Sequence, residues 1–228
     1  MKRAISFFLA LLTVLLISAP AYAYGRQSVT MLVDVPKGSW YYSAVKWALE
    51  KGITTGTDAT HFSPNRCCTR AEAVTFIWRS FGCPEPKTTQ CPFRDVQKSS
   101  YYFKAVLWAV ENKVTTGTSL NRFSPSEYVT RGQVATFLFR ITAQQRKWTA
   151  EKLEQDKALL MGWIQNQPQY SFEDVPFSAY YGHAVYALER WGIVSGVSSS
   201  PHLFAPNRIC TRAEIVQMLY GYWNYNWS

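Results

Sequence analysis

The sequence predicts an all-α protein of three helix-loop-helix units packed as a pseudo-threefold helical bundle with three loop prongs. Three observations predict it. One motif set recurs three times in the same order, apolar residues fall at helical spacing twice in each copy, and Gly, Ser, Thr and Pro gather between the two helical stretches. The copies are headed by Asp34-Val35, Asp95-Val96 and Asp174-Val175, spaced by 61 and then 79 positions. Aromatic clusters follow (Trp40-Tyr41-Tyr42, Tyr101-Tyr102-Phe103, Tyr180-Tyr181), then Ala44-Val45, Ala105-Val106 and Ala184-Val185. Each copy continues through Ile53-Thr54-Thr55-Gly56, Val114-Thr115-Thr116-Gly117 or Ile193-Val194-Ser195-Gly196. It then reaches Phe62-Ser63-Pro64, Phe123-Ser124-Pro125 or Phe204-Ala205-Pro206. Thr69-Arg70-Ala71-Glu72, Thr130-Arg131-Gly132-Gln133 and Thr211-Arg212-Ala213-Glu214 close the set.

Residues 40–51 place Tyr41, Ala44, Val45, Ala48 and Leu49 on one helical face, with Gly52, or Gly192 in the third copy, as the stop. The stretch from Ile53 to Pro64 reads as a loop with a brief extended piece. A second helix starts at the Thr and carries Ala73, Val74, Phe76, Ile77 and Trp78, with parallel runs from Thr130 to Arg140 and from Thr211 to about Tyr220. Residues 144–164, with Trp148, Leu153, Leu159, Leu160 and Ile164 at helical spacing, are expected to prolong the second helix of the second copy. One helix pair cannot bury its own apolar faces, so the copies are expected to share a core. The resulting division is a signal peptide (1–23), units at 24–87, 88–143 and 170–228, and a helical connector at 144–169.

The N-terminus supports secretion. Lys2 and Arg3 precede an apolar run from Ala4 to Ile17, and Ala21-Tyr22-Ala23 has the small-residue form of a cleavage site, so the mature chain is expected to begin at Tyr24. No later segment is apolar enough to span a bilayer, and no membrane contact is expected after cleavage. The formal charge of +9 becomes +7 without Lys2 and Arg3, which favours anionic partners; outside the cell these are wall polymers rather than nucleic acid. The five cysteines, Cys67, Cys68, Cys83, Cys91 and Cys210, are an odd count. Either Cys83 and Cys91 bridge across their Pro-containing connector or both are unpaired, and no Cys/His spacing suits zinc. No cofactor is expected.

The pattern Thr-x-x-Glu/Gln is a capping box, which gives Thr69, Thr130, Thr211, Glu72, Gln133 and Glu214 structural work. Arg70, Arg131 and Arg212 are different, because each puts a cation in a first helical turn, where the macrodipole favours negative charge. A guanidinium beside free backbone N–H groups would receive a carboxylate or phosphate; the alternative is a pairing with Asp34, Asp95 or Asp174 that locks unit to unit. Those Asp residues serve either a local turn or sugar hydroxyls. Trp40, Tyr101 and Tyr180 could stack on a sugar ring, with core packing slightly favoured. Gly56, Gly117 and Gly196 suit tight loops and would also admit a ligand closely.

This ordered set, repeated after a leader, resembles the S-layer homology domain family across nearly all of the mature chain. The resemblance implies a three-pronged helical fold that binds an anionic, commonly pyruvylated, secondary cell-wall polysaccharide or another peptidoglycan-linked glycan in grooves between units. It also implies that Arg70, Arg131 and Arg212 help hold the acidic sugar. The expected function is non-covalent cell-wall anchoring at a bacterial surface; the alternative is a surface protein-protein interaction or S-layer assembly module, using the grooves or the aromatic end Tyr222 to Trp227. The repeats leave no room for a separate enzymatic domain. A glycan hydrolase is disfavoured, because the repeated carboxylates already have structural duties.

Overall fold

The computed structural model describes residues 28–167 and 171–227; the expected leader and its cleavage site lie outside them. The chain is mostly α-helical. Short helices α1 (Tyr42–Glu50), α3 (Phe103–Glu111) and α6 (Gly182–Arg190) precede the longer α2 (Arg70–Ser80), α4 (Arg131–Gln145) and α7 (Arg212–Asn224). Helix α5 (Ala150–Asn166) lies between α4 and α6. The loop of the third segment carries the two residues that the others lack, and they let it fold back as a small antiparallel pair, β1 (Ser198–Ser199) and β2 (His202–Leu203). Among the described residues no helix is long and apolar enough to cross a membrane.

Each short helix packs on the long helix of another segment: α3 on α2, α6 on α4 and α1 on α7. The chain therefore closes on itself, first segment against last. Ala44, Val45, Ala48 and Leu49 are buried on α1, as their spacing predicts, while Tyr41 is only half-buried. Where the segments converge, just ahead of the long helices, three backbone bonds form a ring. Cys68 N–H donates to Cys210 O (3.0 Å), Cys210 N–H to Val129 O (2.8 Å) and Val129 N–H to Cys68 O (3.0 Å), and all three side chains are fully buried. All five cysteines are free thiols, so the Cys83–Cys91 bridge, one of two sequence readings, is not formed.

The stretch after Ile141 departs from expectation. It does not prolong α4, which ends at Gln145: Lys147 turns left-handed (φ 53°), Trp148 N–H bonds back to Ala143 O, and the Thr149 hydroxyl caps a separate helix α5. A left-handed residue followed by a fresh Thr cap reads as a stop and a start. The first helices end as read where glycine is present, at Gly52 (φ 68°) and Gly192 (φ 66°). In the second segment Lys113 takes the same left-handed turn (φ 56°), a conformation in which a Cβ costs about 1 kcal/mol. Lys113→Gly is accordingly expected to stabilise the protein by about 0.5 kcal/mol, once the extra freedom of glycine in the unfolded chain is subtracted. Urea unfolding that shows a loss of stability instead would rule this out.

Candidate functional site

The first helical turn of each long helix is closed off. Thr69, Thr130 and Thr211 each accept the N–H of the residue three along, and Glu72, Gln133 and Glu214 reach back to the Thr N–H, so all three capping boxes are complete. The next two amides donate to carbonyls of another segment: Arg70 to Glu127 and Ala71 to Pro125, Arg131 to Arg208 and Gly132 to Pro206, Arg212 to Arg66 and Ala213 to Pro64. The free N–H groups expected beside each Arg are thus already taken, and these helix ends offer no amides to an anion.

The arginine side chains lie inside, with 3%, 4% and 3% exposure for Arg70, Arg131 and Arg212. Their Nε atoms donate to the carbonyls of Phe123, Phe204 and Phe62 at 2.9, 2.8 and 2.9 Å, and each guanidinium sits over that same phenylalanine ring at 5.0, 4.5 and 4.9 Å. The alternative pairing with aspartate is not what forms. Asp34, Asp95 and Asp174 instead grip the backbone of their own loops. Asp34 accepts from the N–H of Phe62 and Ser63, Asp95 from Phe123 and Ser124, and Asp174 from Phe204 and Ala205, all at 2.7–2.9 Å. A carboxylate has lone pairs to satisfy two successive amides, which is why this position takes Asp.

Beyond their Nε bonds the three arginines differ. Arg131 spends every nitrogen: Nη1 donates to Glu214 (2.8 Å) and Nη2 to Ser195 O (2.9 Å). Arg70 meets neutral Gln133 (3.3 Å) where the others meet Glu. Glu72 stands 3.7 Å from Arg212 but is bound closely by Arg66. Burial would raise the Glu72 carboxyl, yet the Thr69 amide and Arg66 hold it below the usual carboxylate range. Burial lowers the pKa of all three buried arginines.

Two open grooves lie beside these groups. One, of about 570 Å³, runs along α2 between the Thr54–Thr57 loop and Tyr101; it contains Arg66, Arg79 and Arg212 against the single carboxylate of Glu72. The other, of about 550 Å³, runs along α7 beside Trp40 and residues 192–197, with Arg131 and Glu214 opposed and Gly221 and Met218 on its wall. Around Arg70, burial raises the pKa of the Tyr180 hydroxyl while the charges of Arg70 and Arg140 act the other way, and Glu127 stands where the first segment has Arg66. Trp40, Tyr101 and Tyr180 are 61%, 62% and 63% exposed, which corrects the leaning toward core packing. They stand clear because each ring meets its neighbour, Tyr41, Tyr102 or Tyr181, edge-on at 4.9–5.2 Å while that neighbour packs inward. Gly56 and Gly196 line the two grooves, and Gly117 holds the matching loop position. A Cβ on any of them would meet a carbonyl across its loop, at His61, Leu203 or Arg122. Sequence reasoning missed Arg66, Arg79 and Arg140. They lie outside the recurring motif, although the long-helix register did place Arg79 and Arg140 nine positions beyond Arg70 and Arg131.

With that geometry in place, the chain can be set beside known proteins. The family model of the S-layer homology domain matches residues 33–74 and 92–135, the segments that contain Asp34 to the start of α2 and Asp95 to the start of α4. The chain is 27% identical, over 82% of its length, to an S-layer protein of Bacillus thuringiensis subsp. finitimus. It is 35% identical over 107 residues to an endoglucanase of Bacillus sp. (strain KSM-635) and 30% identical over 112 residues to a surface-layer 125 kDa protein of Lysinibacillus sphaericus. It spans only 20%, 11% and 9% of those three proteins, so what it shares with them is one portion.

Removing the carboxylate of Asp95 should cost about 2 kcal/mol, since two charged hydrogen bonds to the loop are lost. Burial pushes this carboxyl up, but the Phe123 and Ser124 amides outweigh it and hold it below its usual value. A depressed folded pKa gives stability that is present above the ordinary carboxylate range and fades as pH falls through the folded value. Urea midpoints from pH 7 down to about 3 should therefore converge for Asp95→Ala and the parent, and parallel curves would refute the assignment. Glu214→Ala should cost more, about 3 kcal/mol, because it strands Arg131 in the interior. A loss under 1 kcal/mol in the same measurement would show that the pair contributes little.

Proposed function

We propose that this chain anchors to the bacterial cell wall by binding an anionic secondary cell-wall polysaccharide, of the carboxylate-bearing, pyruvylated kind, and that it acts by holding rather than by turnover. The observation that carries this reading is the α2 groove: three guanidinium groups face one carboxylate in an open cleft edged by an exposed aromatic ring. Such a cleft attracts a negatively charged chain, and its aromatic rim offers a flat face to a sugar ring. Arg212 and Arg70 present only the edge of a fixed guanidinium, while Arg66, Arg79 and Arg140 supply charge at the rim. Tyr101 and Tyr180 stack, with Trp40 in the equivalent place. The loop glycines Gly56, Gly117 and Gly196 keep the clefts open. The Glu72, Gln133 and Glu214 side chains set how much of each cation remains for a ligand, and Asp34, Asp95 and Asp174 hold the loops that shape the walls.

The reading extends the two matched segments to a third at 170–228, with units at 24–87 and 88–143, a connector at 144–169 and approximate threefold symmetry. Its support is that Asp174, Phe204 and Arg131 reproduce the contacts of the other two copies. Secretion by cleavage after Ala23 and a surface location complete the proposal, in keeping with relatives named as S-layer and surface-layer proteins.

The grooves differ in charge. In the Arg131 groove every nitrogen of Arg131 is spent and Gly221 stands where Arg79 stands in the α2 groove, so acidic sugar is expected chiefly in the α2 groove. Because Arg70 and Arg212 also hold the fold, the informative variants are at the rim. Arg66→Gln, Arg79→Gln and Arg140→Gln combined should weaken co-sedimentation with intact walls by about tenfold or more while leaving the circular dichroism unchanged. Binding should also fall with added salt and vanish on walls stripped of secondary polymer. Undiminished binding by the triple variant, or equal binding to stripped walls, would defeat the proposal.

A further inference from the structure

We propose a second saccharide site at the opposite ends of the long helices, one that takes a single sugar unit bearing an acidic substituent. A cavity of about 360 Å³ lies there, lined by Phe81, Thr142, Gln145, Arg146, Tyr222 and Trp227, and it shares no residue with either groove. This is within the range of small-ligand pockets and suits one pyranose ring rather than a chain. The proposal does not depend on the groove reading.

The walls are built before any ligand arrives. Phe81, the C-cap of α2, contacts Trp108 (5.4 Å) and Tyr222 (6.0 Å), and Tyr222 contacts Trp227 (5.1 Å). The Trp227 indole N–H donates to Tyr222 O (3.0 Å), which folds the C-terminal end back over the cavity. Arg146, the C-cap of α4, lies with its guanidinium 4.9 Å from the Trp227 ring and one nitrogen bonded to the Trp227 carbonyl. This contact fixes the plane of the guanidinium and leaves its other nitrogens to face a ligand.

The chemistry of the lining selects the occupant. Three aromatic side chains offer flat apolar faces, which suit the C–H face of a pyranose. Gln145 and Arg146 bring an exposed amide and guanidinium to the same small space, while the Thr142 hydroxyl already donates to Leu138 O. A purely aliphatic side chain from a protein partner would strip water from the Gln145 amide and the Arg146 guanidinium without replacing it, at a cost, whereas sugar hydroxyls pair with them. Arg146 is the one charged residue in the lining, so a carboxylate is favoured over an amine. The acidic substituent should sit against Arg146, with the ring between Trp227 and Phe81.

The test uses the full mature chain and two probes, N-acetylmuramic acid and uncharged N-acetylglucosamine, followed by tryptophan fluorescence. Saturable quenching by N-acetylmuramic acid is expected. It should be about tenfold weaker in Arg146→Gln, lost in Trp227→Ala and unchanged in the Arg79→Gln, Arg140→Gln double variant. Arg146 is exposed and the Trp227 indole is held separately on Tyr222 O, so Arg146→Gln keeps the wall that Trp227→Ala removes, and an unchanged Trp227 environment in the tryptophan emission spectrum of the unliganded variant checks this. The proposal is overturned by any of four results: no saturable response, equal affinity for N-acetylglucosamine, full binding by Arg146→Gln, or loss of binding in the double groove variant. A leucyl-leucine dipeptide that displaces the sugar at lower concentration would point to a protein partner and overturn it as well.

Discussion

Phe62, Phe123 and Phe204 are the points on which the structure turns. Each phenylalanine gives its N–H to an aspartate of its own segment and receives at its carbonyl the Nε–H of an arginine from another, with that same guanidinium over its ring. All three rings are fully buried. Taking a guanidinium out of water is expensive, and the carbonyl that accepts its Nε–H together with the π face beneath it offsets part of that cost. The node therefore holds only when loop and helix from two different segments are both in place, so the segments depend on one another for their cores.

This dependence explains why short and long helices are exchanged between segments. The loop that ends in Phe-x-Pro supplies carbonyls to the first turn of another segment's long helix, as Pro125, Pro206 and Pro64 do for Ala71, Gly132 and Ala213. A helix start satisfied by a foreign loop cannot form its final contacts alone. The ring joining Cys68, Val129 and Cys210 has the same logic at the centre, where each strand uses one neighbour as donor and the other as acceptor. Small apolar side chains suffice there, which accounts for buried thiols that make no bridge.

Much of this was legible in the sequence. The capping boxes, both helices of each segment and the glycine stops at Gly52 and Gly192 follow from local chemistry that needs no partner. The misplacements have one cause: the deciding atoms lie far away in the chain. An arginine in a first helical turn looked available to an anion, because nothing local shows that its amide and side chain are claimed 53 to 150 positions away. Trp40, Tyr101 and Tyr180 looked like core residues because the exchange of helices between segments, which settles which ring faces outward, is not a local property. The helix after Gln145 was run together with α4 because Lys147 carries no sign of a left-handed turn, and only Thr149 marked a new start.

What stays constant and what varies among the segments then separates two roles. The node keeps Asp, Phe and Arg in all three, since altering Asp or Arg leaves a buried backbone group without its partner and altering Phe removes the ring beneath the guanidinium. Just outside it, Arg66 corresponds to Glu127 and Arg208, and Arg79 corresponds to Arg140 and Gly221, positions whose changes leave the node intact. The same separation reaches into the capping boxes, where Gln133 can replace Glu because the cap needs only an acceptor, whereas the guanidinium beside it registers the lost charge. The fold thus fixes three buried cations where its segments meet and leaves to variable rim residues how much of that charge reaches an open groove.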